Sequence, residues 1–184
     1  MEIRGVDVDD LTELELESET VFSGCLLHVR SDRVRLPDGM EARREYIRHP
    51  GAVVIVAVDD AGQLIFERQF RYPLRASFVE LPAGKLEPGE DPLLCAQREL
   101  MEETGYQATY WEYRGVMHPC IGYSDERIEI FFARGLSQHG RQLDEGEFLE
   151  VFSLSRAQVE EGIANGEITD GKTIVAFYRC LELL

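Results

Sequence analysis

The sequence has no apolar run approaching the roughly 18 residues that a membrane-spanning helix needs. Its start, MEIRGVDVDDLTELELE, has neither the basic n-region nor the apolar h-region of a secretory leader. No membrane partner is therefore expected, and the cytoplasm is the expected compartment. Positive charge is scarce: 19 Lys and Arg face 35 Asp and Glu, a formal net charge of −16. That field argues against a nucleic-acid backbone as partner. Cysteine is sparse and widely spaced. Cys25, Cys95, Cys120 and Cys180 include no CxxC pair, so neither a zinc site nor a disulfide framework is expected, and plain thiols in a reducing compartment are. What is present is 184 residues with 44% hydrophobic content, enough for one ordinary domain and an appendage.

The most informative stretch is 84–106, GKLEPGEDPLLCAQRELMEETGY. Pro88, Gly89 and Asp91-Pro92 mark a turn into a helix, with Asp91 as N-cap, Pro92 at the first helical position and Gly105 just past the end. At about 100° per residue, Leu93, Leu94, Ala96, Leu100 and Met101 share a face that should meet the core. Glu99, Glu102 and Glu103 gather on a neighbouring arc. Two of them sit in the last turn, against the negative end of the helix dipole, and Glu99 with Glu103 is a like-charged i,i+4 pair. Partly shielded, two such charges about 4 Å apart repel by about 4 kcal/mol. A solvated acidic face would tolerate this; a shielded one needs a counter-charge, which a hard divalent cation supplies.

Gly84, Glu90, Arg98-Glu99, Glu102-Glu103 and Gly105 match the Nudix box at all seven fixed positions, with Leu100 and Tyr106 at its two apolar ones. Chance would give seven identities at roughly 10⁻⁸ per starting point. The chain thus resembles a Nudix hydrolase. The resemblance implies that Glu99, Glu102 and Glu103 bind Mg²⁺ or Mn²⁺, helped by the carbonyl of Ala83, and that Glu90 and Arg98 brace loop against helix.

Residues 1–20 carry one Arg against eight acids, and this segment is expected to be loosely held. From 21 to 50 the balance changes to six Arg against four acids. CLLHVRSDRVRL and MEARREYIRH read as strands about a Pro37-Asp38-Gly39 turn, carrying Arg30, Arg33, Arg35, Arg43, Arg44 and Arg48. These arginines either solvate a hairpin or reach a phosphate or ribose, with Arg44 and Arg48 the candidates for substrate. The arrangement resembles ADP-ribose pyrophosphatases, which implies a small antiparallel β domain over 1–49 that packs across a homodimer, followed by the Nudix domain over 50–184.

GAVVIVAVDD and QLIFERQFR read as a buried hairpin, with Leu64, Phe66 and Phe70 on one strand face and Glu67, Gln69 and Arg71 on the other. The resemblance gives Arg71 a phosphate contact; Arg68 is expected only to span to a carboxylate. Glu80, before a Leu-Pro-Ala-Gly turn, lies either beside substrate and metals, as in the larger nucleotide-sugar Nudix enzymes, or in a structural ion pair. Pro119, Gly122, Tyr123, Ser124, Asp125 and Glu126 follow an ADP-ribose pyrophosphatase loop in which Ile121 replaces the usual second proline. Glu126 is a candidate for holding ribose or a water beside the metals.

The loop within 137–151, SQHGRQLDEGEFLEV, is long, polar and acidic. Either it is merely solvated or it carries a general base. By resemblance Glu147 is the best match to that base, with Glu145 second. Ser155 and Gly166 bound a further helix, and Asp170 caps the last one.

These readings converge on an α/β protein. The expected fold is a Nudix-type α/β/α sandwich with a mixed sheet, preceded by the N-terminal β domain. The expected function is Mg²⁺-dependent cleavage of a nucleoside diphosphate sugar, ADP-ribose first, giving AMP and ribose 5-phosphate. GDP-mannose is the alternative substrate. A non-catalytic module that senses a nucleotide sugar is the alternative of a different class.

Overall fold

A computed structural model describes residues 11–141, 143, 146 and 148–184. The chain divides into two compact units, Met1–His49 with Cys120–Glu126, and Pro50–Pro119 with Arg127–Leu184.

The first unit is an antiparallel sheet of β1 (Leu14–Ser23), β2 (His28–Arg35) and β3 (Glu41–Arg48), in that order. The expected turn joins β2 to β3: Leu36 donates to the Met40 carbonyl at 2.8 Å, and Gly39 has φ 87°. The expectation of a loosely held start is corrected from Leu14 onward. β1 pairs with β2 from Leu14↔Arg35 to Ser23↔His28. The acids on which the expectation of a loosely held segment rested are matched by the arginines downstream. Glu17 and Glu41 both reach Arg33, at 3.3 and 2.8 Å, and Glu13 reaches Arg44 at 2.5 Å. Exposed pairs of this kind add little individually, but opposite charges on facing strands favour one register. Residues 120–126 join this unit through backbone bonds to β3. Ile47 donates to the Tyr123 carbonyl at 2.9 Å, and Asp125 donates to the Ile47 carbonyl at 3.2 Å.

The second unit is a mixed sheet between helices. Its strands are β4 (Ala52–Val58), β5 (Leu64–Arg71), β6 (Ala76–Glu80), β7 (Ala83–Lys85), β8 (Tyr106–Met117), β9 (Ile128–Gln138) and β10 (Leu149–Leu154). The main order is β10-β5-β4-β9-β8, with β6 on β5 and β7 on β4; β4 and β9 run parallel. Successive residues of β4 serve opposite cores. Val54 and Val56 pack with Phe66, Ile130 and Phe177, on the side of α2 (Arg156–Asn165) and α3 (Gly171–Cys180). Val53, Ile55 and Ala57 pack with Ile65, Phe131 and Leu100, on the side of α1 (Pro92–Glu99). A strand covered on both faces must be apolar at every position, which is why GAVVIVAV shows no alternation.

That double cover also corrects two assignments. Phe70, expected on the core face of β5, is 54% exposed, while Glu67, on the supposed open face, is 0% exposed. Alternation marks an inner face only when the other face is wet; β5 is instead covered on both faces from Leu64 to Glu67 and opens to solvent from Arg68 onward. In α1 Leu94, expected on the core face, is exposed, and Cys95 takes its place in the core beside Ala96. A free thiol packs as a small apolar group.

The parting of two strands in this sheet positions the candidate site. β4 and β5 pair only at Val58↔Leu64, beyond their turn, and then separate. β6 continues on β5 and β7 on β4, so the chain crosses the opening at 80–83. Backbone groups within the turn are held from both sides: Ile55 donates to the Pro82 carbonyl at 2.9 Å, and Leu81 donates to the buried Thr173 hydroxyl oxygen at 2.9 Å. Among the described residues, no helix is long and apolar enough to cross a membrane.

Candidate active site

The helix that carries the acids starts as its sequence requires. The Asp91 carboxylate accepts from the backbone N–H groups of Leu93 and Leu94 at 2.9 and 3.3 Å, and Pro92 occupies the first turn, where no N–H is missed. Arg98, one turn before the end, folds back over the preceding loop. Its Nε and Nη2 hold Glu90 in a fork at 2.9 and 3.0 Å, and Nη2 also reaches the Lys85 carbonyl at 3.2 Å. This fork pulls the Glu90 carboxyl down to about 2, so it stays ionised across any working pH. Cys95, beneath, is pushed up to about 12 by burial and is an inert thiol.

The α-helix does not run to Gly105 unchanged. From Leu100 to Thr104 it widens into a π turn, and Gly105 closes it in the left-handed region at φ 76°. π turns of this kind recur at functional sites because they re-aim side chains that a regular helix would fan outward. Here Glu103, and Glu99 just before the turn, face β7. The Glu103 carboxylate is 4% exposed and accepts from the Ala83 backbone N–H at 3.0 Å. The Glu99 carboxyl carbon lies only 1.8 Å from where a Cβ on Gly84 would stand. Glycine at 84 is therefore the cradle that admits Glu99. Arg98 Nη1 sits between Glu99, at 2.8 Å, and Glu102, at 3.0 Å.

Three acids, Glu90, Glu99 and Glu102, thus share the Arg98 guanidinium, with Glu103 on the Ala83 N–H, and carboxylate oxygens are the donors that a hard dication takes. By charge and donor chemistry the residues fit such an ion. Among the described residues, no three carboxylates already converge on a single point; Arg98 fills the space between two of them.

The same turn carries a second group at its other end. Arg71 binds Glu80 through Nε and Nη2, both at 2.8 Å, and Glu80 is 2% exposed while the Arg71 side chain is 41% exposed. Burial pushes the Glu80 carboxyl up, but the hydrogen-bonded Arg71 and the nearby Lys172 outweigh it, and the net shift is down. Lys172 donates to Glu80 and, at 3.0 Å, to Asp170. Glu67 lies beside Glu80 as its cross-strand partner. Sequence reasoning found Arg71 and Glu80 but missed Lys172 and Thr173. In the sequence they follow Asp170 at a helix start some ninety residues downstream, and helix capping is the only local signal they carry.

Among the described residues, the remaining sequence candidates have partners of their own. Arg44, Arg48 and Glu126 lie in the first unit. Arg44 is held by Glu13, Arg48 by Asp125 at 3.0 Å, and Glu126 faces His49 at 3.8 Å. Arg68 does span to a carboxylate, Glu150, at 2.7 Å. Glu145 and Glu147 lie outside the described residues. The ends of their loop are tied together where Arg141 Nη1 donates to the Leu149 carbonyl at 3.2 Å.

Comparison with known proteins bears on this geometry. A family model, the NUDIX domain, matches residues 48–176. The chain is 40% identical over 168 residues to an ADP-ribose pyrophosphatase of Bacillus subtilis, covering 90% of this chain and 91% of the relative. It is also 40% identical over 166 residues to a methanol dehydrogenase activator of Bacillus methanolicus, covering 89% and 90%. Among solved structures, a crystal structure of an ADP compounds hydrolase superposes with a TM-score of 0.84 over 94% of each chain at 24% identity, a likeness of fold.

Proposed function

The chain belongs to the NUDIX family of hydrolases, and from that premise we propose that it cleaves ADP-ribose to AMP and ribose 5-phosphate. The observation that carries this reading is the single turn at 80–84, which meets both the acid set and the Arg71–Glu80 pair. Such a site addresses a pyrophosphate, whose charge needs cations on one side and a guanidinium on the other. Divalent-metal dependence is general among NUDIX ADP-ribose pyrophosphatases; Mg²⁺ is the cation we propose, with Mn²⁺ able to replace it. Glu99, Glu102, Glu103 and the Ala83 carbonyl would hold it. When bound, the dication supplies positive charge that offsets the negative charge gathering on the leaving phosphate and makes a water more acidic.

The chain's own residues do the rest in this reading. Arg71 orients the pyrophosphate, and Arg98 fixes the helix to its loop so that the acids keep their spacing. One water adds to a phosphorus as the bridging P–O bond breaks, its proton passing to Glu147, with Glu145 as the second candidate base. Arg44, Arg48 and Glu126 are assigned to the nucleotide and ribose. The test is a turnover panel of ADP-ribose, GDP-mannose and NAD⁺ with Mg²⁺, read as AMP or GMP and sugar phosphate. ADP-ribose should lead by at least tenfold in kcat/KM. Preference for GDP-mannose would overturn the substrate, and binding of ADP-ribose without turnover would favour a sensing module.

The equal likeness to a dehydrogenase activator supports a second reading, in which the chain acts on a dehydrogenase. Stimulation of purified methanol dehydrogenase without ADP-ribose turnover would favour it.

We also propose that the first unit's sheet forms a homodimer interface. Val21, Phe22, Leu26 and Leu27, around β1 and its turn to β2, are exposed apolar side chains at a sheet edge, a surface that proteins ordinarily cover. Light scattering should give twice the chain mass of 21.0 kDa; a monomer at micromolar concentration would overturn this.

A further inference from the structure

Lysine is rare in this chain: of its 19 cationic side chains only Lys85 and Lys172 are lysines. Lys172 has no other cation within six residues in sequence and sits at the start of α3, on the helix layer opposite α1. Its side chain is 15% exposed and its ammonium contacts two carboxylates, Glu80 and Asp170. Asp170 is itself fixed, because the oxygen that accepts from Lys172 also accepts from the Thr173 backbone N–H at 3.0 Å. Thr173 in turn receives the Leu81 N–H at 2.9 Å. The first turn of α3 therefore grips Glu80 by its side chain and Leu81 by its backbone, on the turn that ends in Ala83 and Gly84.

The electrostatics show what that grip does. Glu80 and Glu67 are buried carboxylates at facing positions of β6 and β5, with Asp170 close by. Arg71 feels all three acids. Without another cation, Arg71 would be the main counter-charge for the group and would be drawn down onto it, away from any phosphate. A carboxylate this buried also stays charged only while it is paired. Lys172 meets that demand from below, which leaves the Arg71 fork half exposed.

We propose that Lys172 is a positioning residue for the hydrolysis: acting through Glu80, it holds the guanidinium of Arg71 at the height where a substrate pyrophosphate meets it. The proposal rests on the pyrophosphohydrolase reading above for its substrate, but the Lys172–Glu80–Arg71 chain can be tested without it. Lys172→Met keeps most of the length of the side chain and removes its charge; Lys172→Arg restores the charge. In ¹⁵N–¹H spectra, the Arg71 Nε–H resonance reports its fork with Glu80. Lys172→Met should move it and Lys172→Arg should return it toward the wild-type position.

In turnover of ADP-ribose with saturating Mg²⁺, Lys172→Met should lower kcat/KM about tenfold, chiefly through KM, and Lys172→Arg should recover most of the loss. In an Arg71→Ala background the same change should cost less than twofold. A purely structural lysine would lower Tm while leaving the Arg71 resonance, KM and the coupling to Arg71 unaltered. Either an unmoved resonance in Lys172→Met or losses that multiply independently in the double variant would overturn the proposal. If the wild-type protein does not cleave ADP-ribose, the substrate reading falls and the resonance alone decides the role of Lys172.

Discussion

Glu103→Gln is expected to leave a folded protein whose turnover of ADP-ribose is lower by about 10³-fold, the scale seen when one group is removed from a preorganised charge-stabilising site. Glutamine retains the shape of the side chain and an oxygen that can accept the Ala83 N–H, so the contact between the π turn and β7 survives. What it lacks is the negative charge. Glu103 is the most enclosed of the three acids, at 4% exposure, and an enclosed carboxylate has the most to gain from a dication and the most to lose with it. Circular dichroism should be unchanged and the heat of Mg²⁺ binding in calorimetry sharply reduced. Turnover within tenfold of the wild type would remove Glu103 from the metal site.

Gly84→Ala should cost about 10²-fold or more in activity with little loss of stability. The two effects separate because of what the new methyl group meets. A Cβ at 84 would stand 1.8 Å from the carboxyl carbon of Glu99 and 1.9 and 2.3 Å from its oxygens. No arrangement retains both. The clash is with the far end of a flexible side chain, so Glu99 can swing aside and the strand pairing Val53↔Gly84 need not break. Gly84 also has no positive φ that an alanine would strain. The displaced Glu99 takes a proposed metal ligand with it. Thermal denaturation should place Tm near the wild-type value while kcat/KM collapses. Retained activity would show that Glu99 is not needed where it stands.

How far the sequence anticipates these effects depends on how local their causes are. The start of α1 at Asp91-Pro92, the capping of α2 by Ser155 and of α3 by Asp170, and the fork between Glu90 and Arg98 are set by residues within one or two turns of each other. All were legible, as was the Nudix box as a spacing pattern. The ordered β1 was not, because its acids find their arginines only once the sheet has formed. Nor were the buried Glu67 and the exposed Phe70, whose environments depend on layers packed from distant parts of the chain.

The sequence by itself determined which residues carry charge, where helices start and stop, and that three acids must share the end of one helix. It also set the spacing that marks the family. Only the tertiary structure decided that β4 and β5 part after one pair, so that a short turn can lie in the opening with the acids at one end and Arg71 at the other. Only the fold, too, brought Lys172 beneath Glu80. The physical reason is range. Caps and helical spacing are fixed by covalent neighbours, whereas a counter-charge contributed from ninety residues away depends on how separate layers pack.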